Sequence, residues 1–242
     1  MIDKRVSGAA EAVGHVHDGA TVMISGFGEA GSPTELIHAL IDQGARDLVV
    51  VNNNAGNGHI GLAALLAAGR VRKMICSYPR SSHSFVFTEL YQAGRIELEV
   101  VAQGTLAERI RAAGAGIPAF FTPTAAGSEI SRGKEVRDYR GRPHVLEDAL
   151  FADLALIKAE CADRWGNLTY NKSARNFAPI MATAARVTVA QVRRTVALGE
   201  IDPETVVTPG VYLDRIVCVE NPVSESDHLD ELGRPSWRQA GL

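Results

Sequence analysis

The stretch DGATVMISGFGEAGSPTE, running from Asp18 to Glu35, constrains the fold more than any other part of the chain. Thr21–Ile24 is a short β-rich run, and Gly26, Gly28 and Gly31 follow in a loop that lets a ligand approach the backbone closely. Ser32 reads as an N-cap, Pro33 suits the first helical position, and Glu35, three residues after the serine, completes a capping box. Leu36, Ile37, Leu40 and Ile41 then share one helical face, and Gly44 ends the helix. A glycine loop feeding a helix N-terminus presents free N–H groups and the positive end of a dipole, which suits phosphate or carboxylate.

The same loop matches G-x-G-x-x-G, the dinucleotide-binding pattern, as Gly26-Phe-Gly28-Glu-Ala-Gly31. Two details count against a nicotinamide-dependent oxidoreductase. The dinucleotide fold buries its third glycine inside the helix, whereas Ser32-Pro33 starts the helix after Gly31. It also needs an acidic residue at the end of the second strand for the ribose, and that strand ends in Asn52-Asn53-Asn54.

Strand-like segments near residues 20–25, 48–52, 71–77, 96–101, 154–158, 186–192 and 212–219 alternate with helical patterns near 33–43, 60–68, 84–93, 105–113 and 176–185. Such alternation predicts an α/β fold with a largely parallel sheet and helices on both faces. The 242 residues suffice for one substantial core, which we expect over residues 1–220. Residues 127–147 are polar and glycine-containing, and read as a surface excursion such as a hairpin. Residues 221–242 read as a polar C-terminal tail.

A net charge of −3 gives no electrostatic reason to expect nucleic acid or a membrane surface. The opening residues are charged and lack the apolar block of a signal peptide, and no run is long enough to span a bilayer, so a cytoplasmic protein is expected. Cys76, Cys161 and Cys218 lie far apart with no C-x-x-C, and His15 and His17 have no third ligand at a recognisable spacing, so no metal is expected.

Open α/β sheets bind ligands beyond the carboxyl ends of their strands. Three such ends carry unusual residues: Ser25-Gly26-Phe27-Gly28, Asn52 to Gly58, and Ala102-Gln103-Gly104 before a second capping box from Thr105 to Glu108. Side-chain amides there can donate to a carbonyl oxygen as it becomes negative, each worth about 3–4 kcal/mol of transition-state stabilisation. Asparagine and glycine are also the commonest turn residues, so an Asn-rich turn satisfying only its own backbone is an equal reading. Gln103 is more suggestive, since glutamine has no special turn chemistry. Ser81-Ser82-His83-Ser84 reads as a helix cap, Arg164 to Asn167 as a tight turn, and Lys172, Arg175 and Asn176 as a solvated face able to meet a carboxylate or phosphate.

DGATVMISGFGEAGSP, NNAGNGHIGLAALLAAGRVRK, QGTLAERIRAAGAGIPAFFTPT and DRWGNLTYNKSARNF together resemble the A subunit of the family I 3-oxoacid CoA-transferases. The resemblance runs from about Asp18 to Tyr212, and NNAGNG-x-IGLAALL with DRWGNLTY looks most like the 3-oxoadipate enzymes. It implies a NagB/RpiA/CoA-transferase fold and a ping-pong transfer of CoA from succinyl-CoA to a 3-oxo acid through a glutamyl-CoA thioester. Coenzyme A is then a substrate, with no tightly bound cofactor. In this family the glutamate lies in the B subunit within Ser-Glu-Asn-Gly. Glu220-Asn221 is here followed by Pro222 and is not assigned that role, so the resemblance implies half an active site in an A2B2 assembly. Carried over by position, Gly26, Phe27, Gly28, Gly31 and Pro33 form the glycine-loop signature. Gln103 is then the oxyanion donor, with Asn53 and Asn54 orienting the partner's glutamate. Ser25 stands where the family usually has glycine, adding a Cβ to a crowded strand end. Acetoacetate is the alternative acceptor, and an effector-binding module on the same fold is the alternative outside enzymes.

Overall fold

The structure is a computed structural model and describes residues 2–81 and 83–224, so Ser82 and the tail beyond residue 224 lie outside it. In chain order the elements are α1 (Ala9–Val13), β1 (Thr21–Ile24), α2 (Thr34–Gln43), β2 (Leu48–Val51), α3 (Leu62–Ala67) and β3 (Val71–Cys76). Then come α4 (Phe85–Gln92), β4 (Glu97–Val100), α5 (Gln103–Gly114), β5 (Ala119–Thr122), β6 (Val136–Tyr139) and β7 (Arg142–Asp148). Last are β8 (Ala152–Asp163), β9 (Leu168–Thr169), α6 (Ala178–Ala184), β10 (Ala185–Val196) and β11 (Arg215–Cys218).

The main sheet has the order β11-β10-β8-β1-β2-β3-β4, with all of these neighbours parallel and β9 antiparallel on β8. Period-2 alternation along the short strands feeds two helical layers. Val22, Ile24, Leu48 and Val50 face α2, α3 and α4 through Leu36, Ile37, Leu40, Leu65 and Phe87. Met23, Val51 and Ile75 face the opposite way, toward Leu106 and Ile110 of α5 and Ala178 and Met181 of α6. Leu36, Ile37 and Leu40 are completely buried, each contributing about 1.5–3 kcal/mol. The expected excursion over residues 127–147 holds the β6–β7 hairpin, which runs one residue past it to Asp148 and pairs with the earlier β5 in a separate antiparallel sheet, β5-β7-β6.

Neither capping box forms. Pro33, not Ser32, is the residue flanking α2, and no side chain caps that end. The Glu35 carboxylate instead accepts from Gln191 Nε2 and, at 2.6 Å, from Val223 N, tying the chain after β11 to the start of α2. Helix α5 begins two residues early, at Gln103, so Thr105 lies inside it and Glu108 pairs with Arg111. In the first case tertiary partners take the carboxylate that a capping box would have used; in the second a helical neighbour three residues on takes it.

Helices α5 and α6 meet at Gly114, where a Cβ would overlap the Thr183 side chain. Gly114→Ala should therefore destabilise the fold by about 1–3 kcal/mol, read as a lower urea midpoint at constant slope. An unchanged midpoint would mean the two helices can part without cost.

Candidate active site

The loop after β1 is closed by its neighbours. Ser25 is fully buried; its Oγ donates to Gly31 O at 2.7 Å and accepts from Lys158 N at 3.1 Å. The serine hydroxyl thus staples the loop shut. Phe27 N donates to Ala30 O at 3.0 Å. Asn176 braces the outside, accepting from Gly26 N at 3.2 Å and donating to Ala30 O at 2.7 Å. Gly31 has φ +81°, and a Cβ there would overlap Ala174 O, so the loop can pack on this segment only as glycine.

The end of β2 divides its asparagines between support and display. Asn52 is buried, donating to Ile24 O at 2.7 Å and accepting from Asn54 N at 2.8 Å. Asn53 is 2% exposed, and its Oδ1 accepts two hydrogen bonds, from Ser77 Oγ at 2.7 Å and from Gln103 Nε2 at 2.8 Å. Its carbonyl is thereby saturated and its amide plane fixed, leaving Nδ2 as the group open to a ligand. Gln103, the first residue of α5, keeps its second Nε2 hydrogen.

These groups surround a cleft of about 540 Å³ over the carboxyl ends of β1 to β4. Strand β1 contributes Phe27 and Gly28; β2 contributes Asn53, Asn54 and Asn57. Strand β3 contributes Ser77, Tyr78 and Ser81, and β4 leads into Gln103. All of these side chains are neutral. Cys76, beside the cleft, is no nucleophile, because burial pushes its thiol up to about 12.

Of the residues singled out in the sequence, Phe27, Gly28, Asn53, Asn54 and Gln103 meet in this cleft. Gly26 and Pro33 serve the loop and the entry to α2, and Gly31 lines a smaller pocket of about 240 Å³ beside Lys158 and Gln191. Glu220 follows β11, at the far edge of the sheet. Asn57 also lines the cleft, from the run Asn52 to Gly58, although no role was expected of it; Ser77 was missed, and a small polar residue at the carboxyl end of a third parallel strand was its usable signal. Among the described residues no cluster could hold a metal, and no helix is long and apolar enough to cross a membrane.

A model of the coenzyme A transferase family matches residues 6–219. The chain is 59% identical over 226 residues to the 3-oxoadipate CoA-transferase A subunit of Pseudomonas putida, covering 93% of this chain and 98% of that one. It is 56% identical over 221 residues to the protein of the same name from Acinetobacter baylyi, covering 91% and 97%. Its fold resembles an acyl-CoA transferase of E. coli O157:H7, solved as a thioester complex with CoA. That likeness has a TM-score of 0.80 at 22% identity, covering 92% of this chain and half of the other. The end of β2 offers the amide of Asn52 where a dinucleotide fold needs an acid, and the glycine loop ends before α2 begins. The chain belongs to the coenzyme A transferase family.

Proposed function

We propose that this chain is the A subunit of a CoA-transferase that moves CoA from succinyl-CoA to a 3-oxo acid, with 3-oxoadipate as the preferred acceptor and acetoacetate as the alternative. It works in the cytoplasm in an A2B2 assembly whose B subunit carries the nucleophilic glutamate. One observation carries the reading: four adjacent strand ends converge on a neutral cleft lined by oriented amides and hydroxyls. Such a cleft can stabilise developing charge on oxygen, yet its lining supplies no carboxylate to attack a thioester. The names of the similar proteins, each that of an A subunit, support the same division.

In this reaction the partner's glutamate adds to the carbonyl of succinyl-CoA, and the carbonyl oxygen takes up the negative charge. Collapse expels the CoA thiolate and leaves a mixed anhydride. The thiolate then attacks the glutamyl carbonyl, releasing succinate and leaving CoA on the enzyme as a thioester. The acceptor acid reverses these steps, and no net proton transfer is needed. Gln103 Nε2 and Asn53 Nδ2 are the donors available to the oxyanion, while Asn53 and Asn54 orient the glutamate. Removing one such donor costs about 10²–10³ in kcat.

Two outcomes are expected. Purified alone, the chain shows no transfer from succinyl-CoA to 3-oxoadipate, and adding the B subunit restores it. Transfer by the chain alone would overturn the half-site reading. In the complex, Gln103→Ala lowers kcat about 100-fold while shifting the unfolding free energy by less than about 1 kcal/mol. Losses of equal free energy in both would remove Gln103 from the oxyanion site.

A further inference from the structure

The lock on Asn53 is repeated once more on the same wall of the cleft. Asn57 lies four residues further along the loop after β2, beyond a tight turn at Gly56 that packs against Ala63 N so closely that a Cβ would not fit. Gly58 N donates to His83 O at 3.0 Å, pinning the loop to the segment between β3 and α4. That segment also supplies a serine pair to Asn57: Ser81 Oγ donates to its Oδ1, and Ser84 Oγ, with one hydrogen to give, lies 2.9 Å from Ser81 Oγ and 3.2 Å from the same Oδ1. Ser84 is itself buried and held by Ser81 N at 2.9 Å. The Asn57 carbonyl is therefore held by the serine pair, its amide plane is set, and Nδ2 is the atom left for a ligand in the cleft that it lines.

The cleft thus offers two preset amide donors, one nearly buried at Asn53 and one half-buried at Asn57 nearer the rim. A ligand that uses both must carry oxygen acceptors at two separated positions. Its reacting carboxyl group belongs at Asn53 and Gln103, within the oxyanion arrangement. Arg80, next to Ser81 in the chain, is exposed. We propose that Asn57 is a specificity-determining residue that donates to the distal carboxylate of a dicarboxylic 3-oxo acid. This rests on the transferase reading above and names the feature of the acceptor that the cleft selects.

The test uses the reconstituted complex with succinyl-CoA as donor and compares 3-oxoadipate with acetoacetate, which lacks the distal carboxylate. In a ping-pong reaction kcat/KM for the acceptor reports only steps after CoA has reached the enzyme, so any effect on succinyl-CoA drops out of the comparison. Asn57→Ala should lower kcat/KM for 3-oxoadipate about 10- to 100-fold, mainly through KM, the loss expected for one hydrogen bond to a charged group. Acetoacetate should change less than about twofold. Asn57→Asp keeps the shape, removes the donor and repels the carboxylate, so its discrimination should be larger still. Ser81→Ala, which loosens the amide without removing it, should shift the ratio the same way by a smaller factor. Equal losses with both acceptors, or no loss with either, would overturn the assignment while leaving the transferase reading intact. Absence of transfer to either acid by the unmodified complex would overturn both.

Discussion

Parallel hydrogen bonding on both sides of β1 sets the geometry on which the site depends. Val22 and Met23 are paired with Val50 and Val51 of β2 on one side and with Leu154 and Ala155 of β8 on the other. A strand held this way leaves the chain no lateral freedom at its carboxyl end, and every backbone group there must find a partner. Ser25 N donates to Leu156 O, Ile24 O accepts from Asn52 Nδ2, and the Ser25 hydroxyl bridges Gly31 O and Lys158 N. The glycine loop is consequently a fixed wall rather than a mobile flap. It separates the cleft over β2 to β4 from the smaller pocket over β8 and β10.

From that wall outward, the site is made of amides whose carbonyl ends have been used up. An asparagine in water can present either face of its amide. Asn53 has already given both acceptor positions to Ser77 and Gln103, so turning its amide over would break two hydrogen bonds at once. Preorganisation of this kind is what makes a dipole effective toward developing charge. Neutrality matters equally. In the proposed reaction, carboxylates enter and leave at every half-step, and a lysine or arginine in the cleft would hold them in the ground state as firmly as the transition state. An amide binds a resting carboxylate weakly and rewards charge that develops at the right place.

Much of this architecture was legible in the sequence. Short apolar runs mark β1 and β2, since each buries both faces and has little length in which to be ambiguous. Strands β8 and β10 extend to Asp163 and Val196, beyond the limits their hydrophobic runs suggest at Lys158 and Val192. Their outer halves pair with each other; β8 stays buried there at Ala159 and Ala162, while Glu160 is only partly buried and Arg194 is exposed, so the apolar run breaks off before the strand does. The amides at the cleft were visible because asparagine and glutamine cluster at strand ends. Their orientation was not, because it depends on Ser77, Ser81 and Ser84, roughly one βα unit away in sequence and adjacent only once β2 and β3 pair. The brace on the glycine loop was hidden for the same reason: Asn176 lies 150 residues from Gly26.

The exposed aromatic groups around the cleft follow from the same division of labour. Phe27 is 53% exposed and Tyr78 is 63% exposed, and both flank the amides at the mouth of the site. Large apolar surface beside an array of buried donors is costly for a chain on its own. In the proposed assembly it borders the place where a carboxylate must be brought in and stripped of water. Desolvating that carboxylate strengthens it as a nucleophile and also raises the worth of each N–H that faces it. Apolar rims exclude the water, and fixed amides replace the hydrogen bonds that the water had made. Neither half does this alone: the donors without the carboxylate have nothing to act on, and the carboxylate without the cleft stays hydrated. A site split between two chains therefore becomes reactive only at the moment its two surfaces close on a substrate.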